Sequence, residues 1–340
     1  MSINHLINTA LEGYKSDQIF VLADKCLAVE LPYPTLHVEA TEQNKSLATL
    51  ALIWSHLTTH GATRKAVLVN IGGGIICDLG GFAAATYMRG IDYINVPTTL
   101  LAMVDAADGG KTAINFDGLK NRVGAFHLPK QVIIEPAFLE TLPKEEILSG
   151  YAEMLKTALL NNKQHFASTL TSIDNLAYVK HMLSISYASS QRVDLLRLID
   201  ACRTYKQSIV RQDPEEANLR KVLNFGHTVG HAIEQKASGQ RHGYCVLWGM
   251  IAELYLSVAV LGCPKAPLQQ LVRVMLDYYG RPSCNCKEQN ELLTLMHQDK
   301  KNDTLSAINF TLLQDIGTPQ INQLVPDSLI AESLDYLFSI

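Results

Sequence analysis

The sequence predicts an α/β protein in two parts: a mostly parallel sheet covered by helices, then a mainly α-helical half. Three observations predict it. Short apolar runs alternate with helix-length stretches over the first 140 residues; three consecutive glycines, Gly72, Gly73 and Gly74, close one of those runs; and strand signals nearly vanish after Pro143 until residue 306. Alternation of this kind makes a sheet whose crossovers are helices. At 340 residues the chain is long for one core, so two domains are expected, residues 1–143 and 144–340.

In chain order, residues 18–23 and 35–38 read as short strands. Residues 44–60 have helical periodicity and stop before Gly61. Residues 66–71 (Ala-Val-Leu-Val-Asn-Ile) read as a buried strand, and the triple glycine leads into a helix reaching Met88. Residues 93–96 and 131–135 are further strands, closed by Pro97 and Pro136. Beyond the boundary at residues 141–144, helices are expected over 144–161, 176–189, 191–212, 219–236 and 243–261, with a strand at 306–313. A cleft between the halves is the natural place for a ligand.

The net charge of −4 argues against a nucleic-acid partner or an anionic membrane surface. The N-terminus lacks the basic start and apolar core of a secretory signal, and the most apolar stretch, 66–87, is interrupted by Asn70, Asp78 and several glycines. Seven cysteines without framework spacing fit reduced thiols, hence a cytoplasmic protein. Cys284-Asn285-Cys286 has no partners at zinc-site spacing and reads as a loop.

The glycine turn offers close backbone approach and the free N–H groups of a helix start, which suits a pyrophosphate, with Asp78 in the first helical turn. Thr98 and Thr99 follow another strand end. Gly109-Gly110-Lys111-Thr112 looks like part of a phosphate loop, but a full one needs glycine where Asp105 stands, so nucleoside triphosphate hydrolysis is excluded. Lys111, Lys120, Lys156, Lys206, Arg220 and the Lys300-Lys301 pair flank these motifs in an acidic chain. His227 and His231 are four apart. On one continuous helix, Arg220, Asn224, His227 and His231 would share a face: two metal ligands beside an amide and a guanidinium. A zinc site needs a third protein ligand, with His242 or Glu153 available.

Together these motifs resemble the 3-dehydroquinate synthases, sugar-phosphate cyclases, over about residues 42–317. The resemblance implies a Rossmann-like first domain and a phosphate-eliminating lyase acting on 3-deoxy-D-arabino-heptulosonate 7-phosphate. It implies a divalent metal, usually zinc with cobalt possible, on Glu153, His227 and His242. NAD would lie across Gly73, Gly74, Ile75 and Asp78, with Thr98 and Thr99 at its nicotinamide side, Glu42 and Lys45 at its adenosine part, and Asp105, Lys111 and Lys120 lining the same region. Substrate would meet Lys111, Asn121, Lys156, Lys206, Arg220, Asn224, His231 and Lys300, with Asp105 and Glu216 on its hydroxyls. Arg89 would reach the phosphate from the partner of a homodimer. Lys111, Lys156, His231 and Asp105 are the implied catalytic groups. Lys206 and Arg220 favour a carboxylated substrate over those of the other cyclases, and the many cations exceed what a glycerol-dehydrogenase-type alcohol dehydrogenase needs. The chain departs from the family pattern at Cys77, a usual glycine, at Ala106-Ala107-Asp108, where Ser-Ser-Val is common, and at Tyr244, a usual glutamate.

Overall fold

The computed structural model describes residues 3–177, 190–237, 239–284, 286–298 and 308–340. They fall into two compact units, one ending at Leu142 and the other beginning at Pro143.

The first unit holds β1 (Ile19–Asp24), β2 (Thr35–Val38), β3 (Val67–Gly72) and β4 (Asp92–Pro97), then a hairpin of β5 (Lys111–Phe116) and β6 (Leu119–Phe126), then β7 (Gln131–Val132). Five of these form one sheet in the order β2-β1-β3-β4-β7, every pair parallel. β1 and β3 are continuous apolar runs because both faces are covered. Phe20, Leu22 and Leu68 face a core shared with α2 (Leu47–Thr59) and α3 (Gly74–Thr86), while Val21, Val67 and Val69 face residues of α1 (Ile3–Ala10). Ser46 starts α2 by accepting from the Thr49 N–H at 3.3 Å, later than the sequence suggested, because residues 41–46 form turns. Strand order reverses between β1 and β3, where α/β sheets present ligand crevices at strand carboxyl ends. Gly72 and Pro97 are register partners at two such ends. The β5–β6 hairpin was not expected, although Asp117 and Gly118, both with positive φ, carry its turn signal.

The second unit is mainly helical: α4 (Lys144–Asn161), α5 (Lys163–Ala177), and helices Ser190–Gln212, His227–Lys236, His242–Leu261, Lys265–Val274, Gln289–His297 and Asp327–Ser339. An antiparallel hairpin, β8 (Ile308–Asp315) with β9 (Thr318–Val325), completes it. Among the described residues one helix, His242–Leu261, is long and apolar enough to cross a membrane by length and composition. Here it is the core of the unit, packed by α4, the His227–Lys236 helix, β8 and the terminal helix.

One expected helix needs correction, and another cannot be compared. The helix expected over 219–236 is two elements, a 3-10 turn Leu219–Asn224 and the helix His227–Lys236. Between them Gly226 has φ +79°, and a Cβ there would lie 2.5 Å from Met250 Cγ. The core helix crosses so closely that the chain must bend at a residue without a side chain. Arg220 and Asn224 therefore do not continue the face of His227 and His231. The helix expected over 176–189 lies outside the described residues beyond Ala177, the end of α5.

Candidate functional site

Three chain segments of the second unit converge on the Glu153 carboxylate, which is fully buried. Its Oε1 is 3.2 Å from His242 Nε2 and 3.5 Å from His227 Nε2. Its Oε2 is 2.5 Å from Lys156 Nζ, one turn along α4 and almost equally buried. Each imidazole is fixed from behind. His227 Nδ1 donates to the Phe225 carbonyl at 3.1 Å, and His242 Nδ1 lies 2.9 Å from Glu234 Oε2. Both rings thus turn Nε2 towards Glu153, the arrangement by which a partner on one ring nitrogen prepares the other as a ligand.

The donor set fits a borderline divalent metal. Glu153, His227 and His242 each offer one ligand atom, all within 4.8 Å of one another. A tetrahedron with metal–ligand bonds of about 2.0–2.1 Å has edges of about 3.3 Å, and the two distances from Glu153 Oε1 bracket that value. Burial works against a charge on His242, but hydrogen bonds and charges from Glu153 and Glu234 outweigh it and raise the imidazole to about 10.

Missing side chains bring the helices this close. A Cβ on Gly243 would lie 1.9 Å from the Ser149 carbonyl oxygen of α4, and the Gly243 N–H donates to Ser149 Oγ at 3.1 Å. A Cβ on Gly249 would lie 2.0 Å from the Gly226 carbonyl oxygen. At that crossing the Glu253 carboxylate, fully buried on the core helix, accepts from the N–H groups of Gly226 at 2.6 Å, Thr228 at 3.1 Å and Val229 at 3.3 Å. A negative charge meets the free N–H groups and positive end of the His227–Lys236 helix.

His231 completes an imidazole cluster, its ring centroid 5.1 Å from that of His227 and 5.9 Å from that of His242. Arg220 is buried, its guanidinium donating to the Pro214 carbonyl at 2.6 Å. Its turn is built on Asp213, whose carboxylate accepts from the N–H groups of Arg220, Asn218 and Ala217, which hold its pKa below the ordinary value. Asn224 Nδ2 donates to Glu216 Oε1 at 2.9 Å, and Glu216 itself has φ +60°. Lys206 is half-buried on the Ser190–Gln212 helix. Lys300 lies outside the described residues.

In the first unit Gly73 caps α3 without a side chain, and a Cβ there would lie 3.0 Å from Thr99 Cγ2. Ile75 follows Gly74 in the first turn of α3. The Thr98 N–H donates to the Gly72 carbonyl at 3.0 Å, while Thr99 Oγ1 accepts from the Ala102 N–H. Lys45, almost fully buried, joins two other expected residues: its Nζ is 2.5 Å from Asp78 Oδ2 and 2.5 Å from Asn121 Oδ1. Asn115 extends the network, donating to Glu42 Oε2 at 2.7 Å and accepting from the Asn121 N–H at 2.9 Å. Lys111 and Lys120 are exposed on the β5–β6 hairpin, next to this cluster in sequence. Asp105 sits in a π-helical turn, Ala102–Ala106. The side chain of Asn95 holds the Ala107 carbonyl at the end of that turn and accepts from buried Asn70. Arg89 is exposed on a turn where it and Met88 both have positive φ, a strained backbone of the kind found at functional sites.

Sequence reasoning missed Glu234, Glu253, Asn115 and Asp213. Glu253 had a readable signal as the one acidic residue in the apolar stretch 242–261. The unusual residues settle into packing. Cys77 is buried with its thiol pushed up by burial, Asp108 is buried, and the Tyr244 ring meets Tyr279 edge-on at 4.8 Å.

Solved structures share this fold. 2-Deoxy-scyllo-inosose synthase, complexed with carbaglucose-6-phosphate, NAD+ and Co2+, superposes with a TM-score of 0.82 at 22% identity, covering 98% of this chain and 95% of that one. 2-Epi-5-epi-valiolone synthase from Streptomyces hygroscopicus, with NAD+ and Zn2+ bound, gives 0.80 at 23% identity, covering 94% and 91%. The architecture is that of the sugar-phosphate cyclases, as the two-part α/β reading expected. Family profiles described as 3-dehydroquinate synthase N-terminal and C-terminal match residues 35–149 and 150–302. The 3-dehydroquinate synthase of Parabacteroides distasonis is 44% identical over 342 residues, covering 96% of this chain and 93% of that protein. The chain belongs to the 3-dehydroquinate synthase family.

Proposed function

We propose that the protein is a phosphate-eliminating lyase that converts 3-deoxy-D-arabino-heptulosonate 7-phosphate to 3-dehydroquinate and phosphate. The steps are transient oxidation, phosphate elimination, reduction and intramolecular aldol closure. The observation that carries the reading is the convergence of Glu153, His227 and His242 with Lys156 in a chain of this family. When bound, NAD supplies a place for a hydride that leaves a secondary alcohol and later returns. A divalent ion on Glu153, His227 and His242, zinc in preference to cobalt, supplies positive charge that acidifies a substrate hydroxyl.

The remaining work falls to the chain's own groups. Lys156 holds Oε2 of Glu153, leaving Oε1 to face the two histidines. Arg220, Lys206 and Asn224 orient the anionic ends of the substrate, with Lys300 in the same role. His231, at the edge of the imidazole cluster, carries a proton to and from the reacting oxygen. Asp105 and Glu216 accept from substrate hydroxyls, and Lys111 and Asn121 offset charge on the departing phosphate. In the first unit Gly73, Gly74 and Ile75 present backbone N–H groups to the dinucleotide's phosphates. The dinucleotide lies across these glycines and Asp78, with Thr98 and Thr99 near its nicotinamide side and Glu42 and Lys45 at its adenosine part, and Lys120 lines the same region. The working form is a cytoplasmic homodimer in which Arg89 reaches the partner's substrate phosphate.

The test mixes protein, NAD, zinc and the heptulosonate phosphate. Phosphate is released with no lasting absorbance of NADH, and chelation stops it. A net gain of NADH refutes the reading.

A further inference from the structure

The His242 ring lies between two carboxylates rather than against one. Its Nε2 is 3.2 Å from Glu153 Oε1 and its Nδ1 is 2.9 Å from Glu234 Oε2. On the Glu234 side stands a second set of ligand atoms. His231, Glu234 and His242 each offer one atom, all within 4.8 Å of one another, and all three residues are half-buried. His231 and Glu234 are three apart on the His227–Lys236 helix, so they share a face. The set is two imidazoles and a carboxylate, the same chemistry as Glu153, His227 and His242.

We propose that His231, Glu234 and Nδ1 of His242 form a second divalent-cation position, exclusive with the first and unproductive when filled. The proposal rests on the metal-centre reading above. A neutral imidazole has one lone pair. With that lone pair on Nε2, the ring serves the Glu153 position, and Nδ1–H donates to Glu234. With the lone pair on Nδ1, the ring serves the Glu234 position, and Nε2–H donates to Glu153. Both hydrogen-bond acceptors are already at hydrogen-bonding distance, so the ring changes role by moving a proton, without rotating. The Nδ1 to Glu234 distance must open from 2.9 Å to the roughly 3.3 Å edge of a zinc tetrahedron, a small movement for a half-buried glutamate. An ion there removes a ligand from the first position and occupies His231, which the reaction uses. The two positions compete for one ion, so their occupancies stand in the ratio of their affinities at any zinc concentration, and the fraction held at the second position is inactive.

Cobalt absorption on the full-length, metal-stripped protein separates the two positions. His227→Ala disables the first and leaves the second intact; Glu234→Gln disables the second while its amide oxygen still accepts from Nδ1–H. Near-ultraviolet circular dichroism confirms that each variant is folded. His227→Ala is expected to bind one Co2+ at least tenfold more weakly than wild type. His227→Ala/Glu234→Gln is expected to bind at least tenfold more weakly again. Glu234→Gln alone keeps one ion, at the first position. If His227→Ala and the double variant bind cobalt equally, the second position is overturned. If His227→Ala instead binds cobalt as tightly as wild type, the first position is overturned.

Discussion

Gly243→Ala puts the contact that brings Glu153 and His242 together under direct strain. Its new Cβ would stand 1.9 Å from the Ser149 carbonyl oxygen and 2.6 Å from the Ser149 Cα, both backbone atoms of α4 that no rotamer can move aside. Reaching an ordinary contact of 3.4 Å requires the core helix and α4 to separate by about 1.5 Å. The displacement falls on the proposed ligands themselves. His242 is the neighbour of Gly243, and Glu153 lies one turn beyond Ser149, 3.2 Å from His242 Nε2. Metal–ligand distances tolerate about 0.2 Å, so the shift exceeds the tolerance several-fold. Zinc affinity should fall on the order of 100-fold, about 2.7 kcal/mol. Overpacking should cost a further ~1–3 kcal/mol of stability in the second unit. Competition with a chromophoric chelator measures the first effect, and denaturant unfolding of the metal-free protein measures the second. A folded Gly243→Ala protein that holds zinc within threefold of wild type would refute the claim that this contact sets the spacing of Glu153 and His242.

Glu253→Gln leaves one oxygen where two now accept from three N–H groups, and turns an amide donor towards them. It should cost about 1–3 kcal/mol by thermal unfolding and weaken metal binding through His227; an unchanged melting curve would contradict the capping role. Metal binding at pH 7 should release about one proton, because the metal-free His242 imidazole, raised to about 10, must give one up. Calorimetry in buffers of different ionisation enthalpy counts it, and zero release is the opposing result. In the metal-free protein the charged His242 contributes stability fully below pH 6.5, and the contribution disappears as pH rises through 10. Lys45→Met strips Asp78 of a buried partner and should destabilise the first unit by on the order of 3 kcal/mol, with much of the loss recovered in Lys45→Met/Asp78→Asn. Equal unfolding midpoints for the single and double variants would show that the pair is not coupled.

The elements legible in the sequence were those set by apolar pattern. β1 and β3 are mostly apolar runs, β4 is a shorter one interrupted by Asn95 and closed by Pro97, and α4 begins and ends where periodicity placed it. The break at Gly226 was not legible, because the apolar spacing continues across it and only the crossing of Met250 forces the positive φ. Nor did local spacing point to Glu153 as a ligand over the His227/His231 pair. It lies 89 residues before His242, and pairings at that range depend on how helices cross rather than on any pattern along one of them. The family resemblance supplied that residue. Asn115 and Asp213 act through backbone-directed hydrogen bonds in turns, where any polar side chain of suitable reach looks alike in sequence.

Because Glu153 and His242 are so far apart along the chain, an ion gripping both acts as a removable staple. At a free concentration a hundred times its dissociation constant, such an ion adds about 2.7 kcal/mol to the folded state. Resistance of the helical half to proteases and heat then tracks the supply of that ion, and starvation for it exposes the protein to degradation before any substrate is encountered.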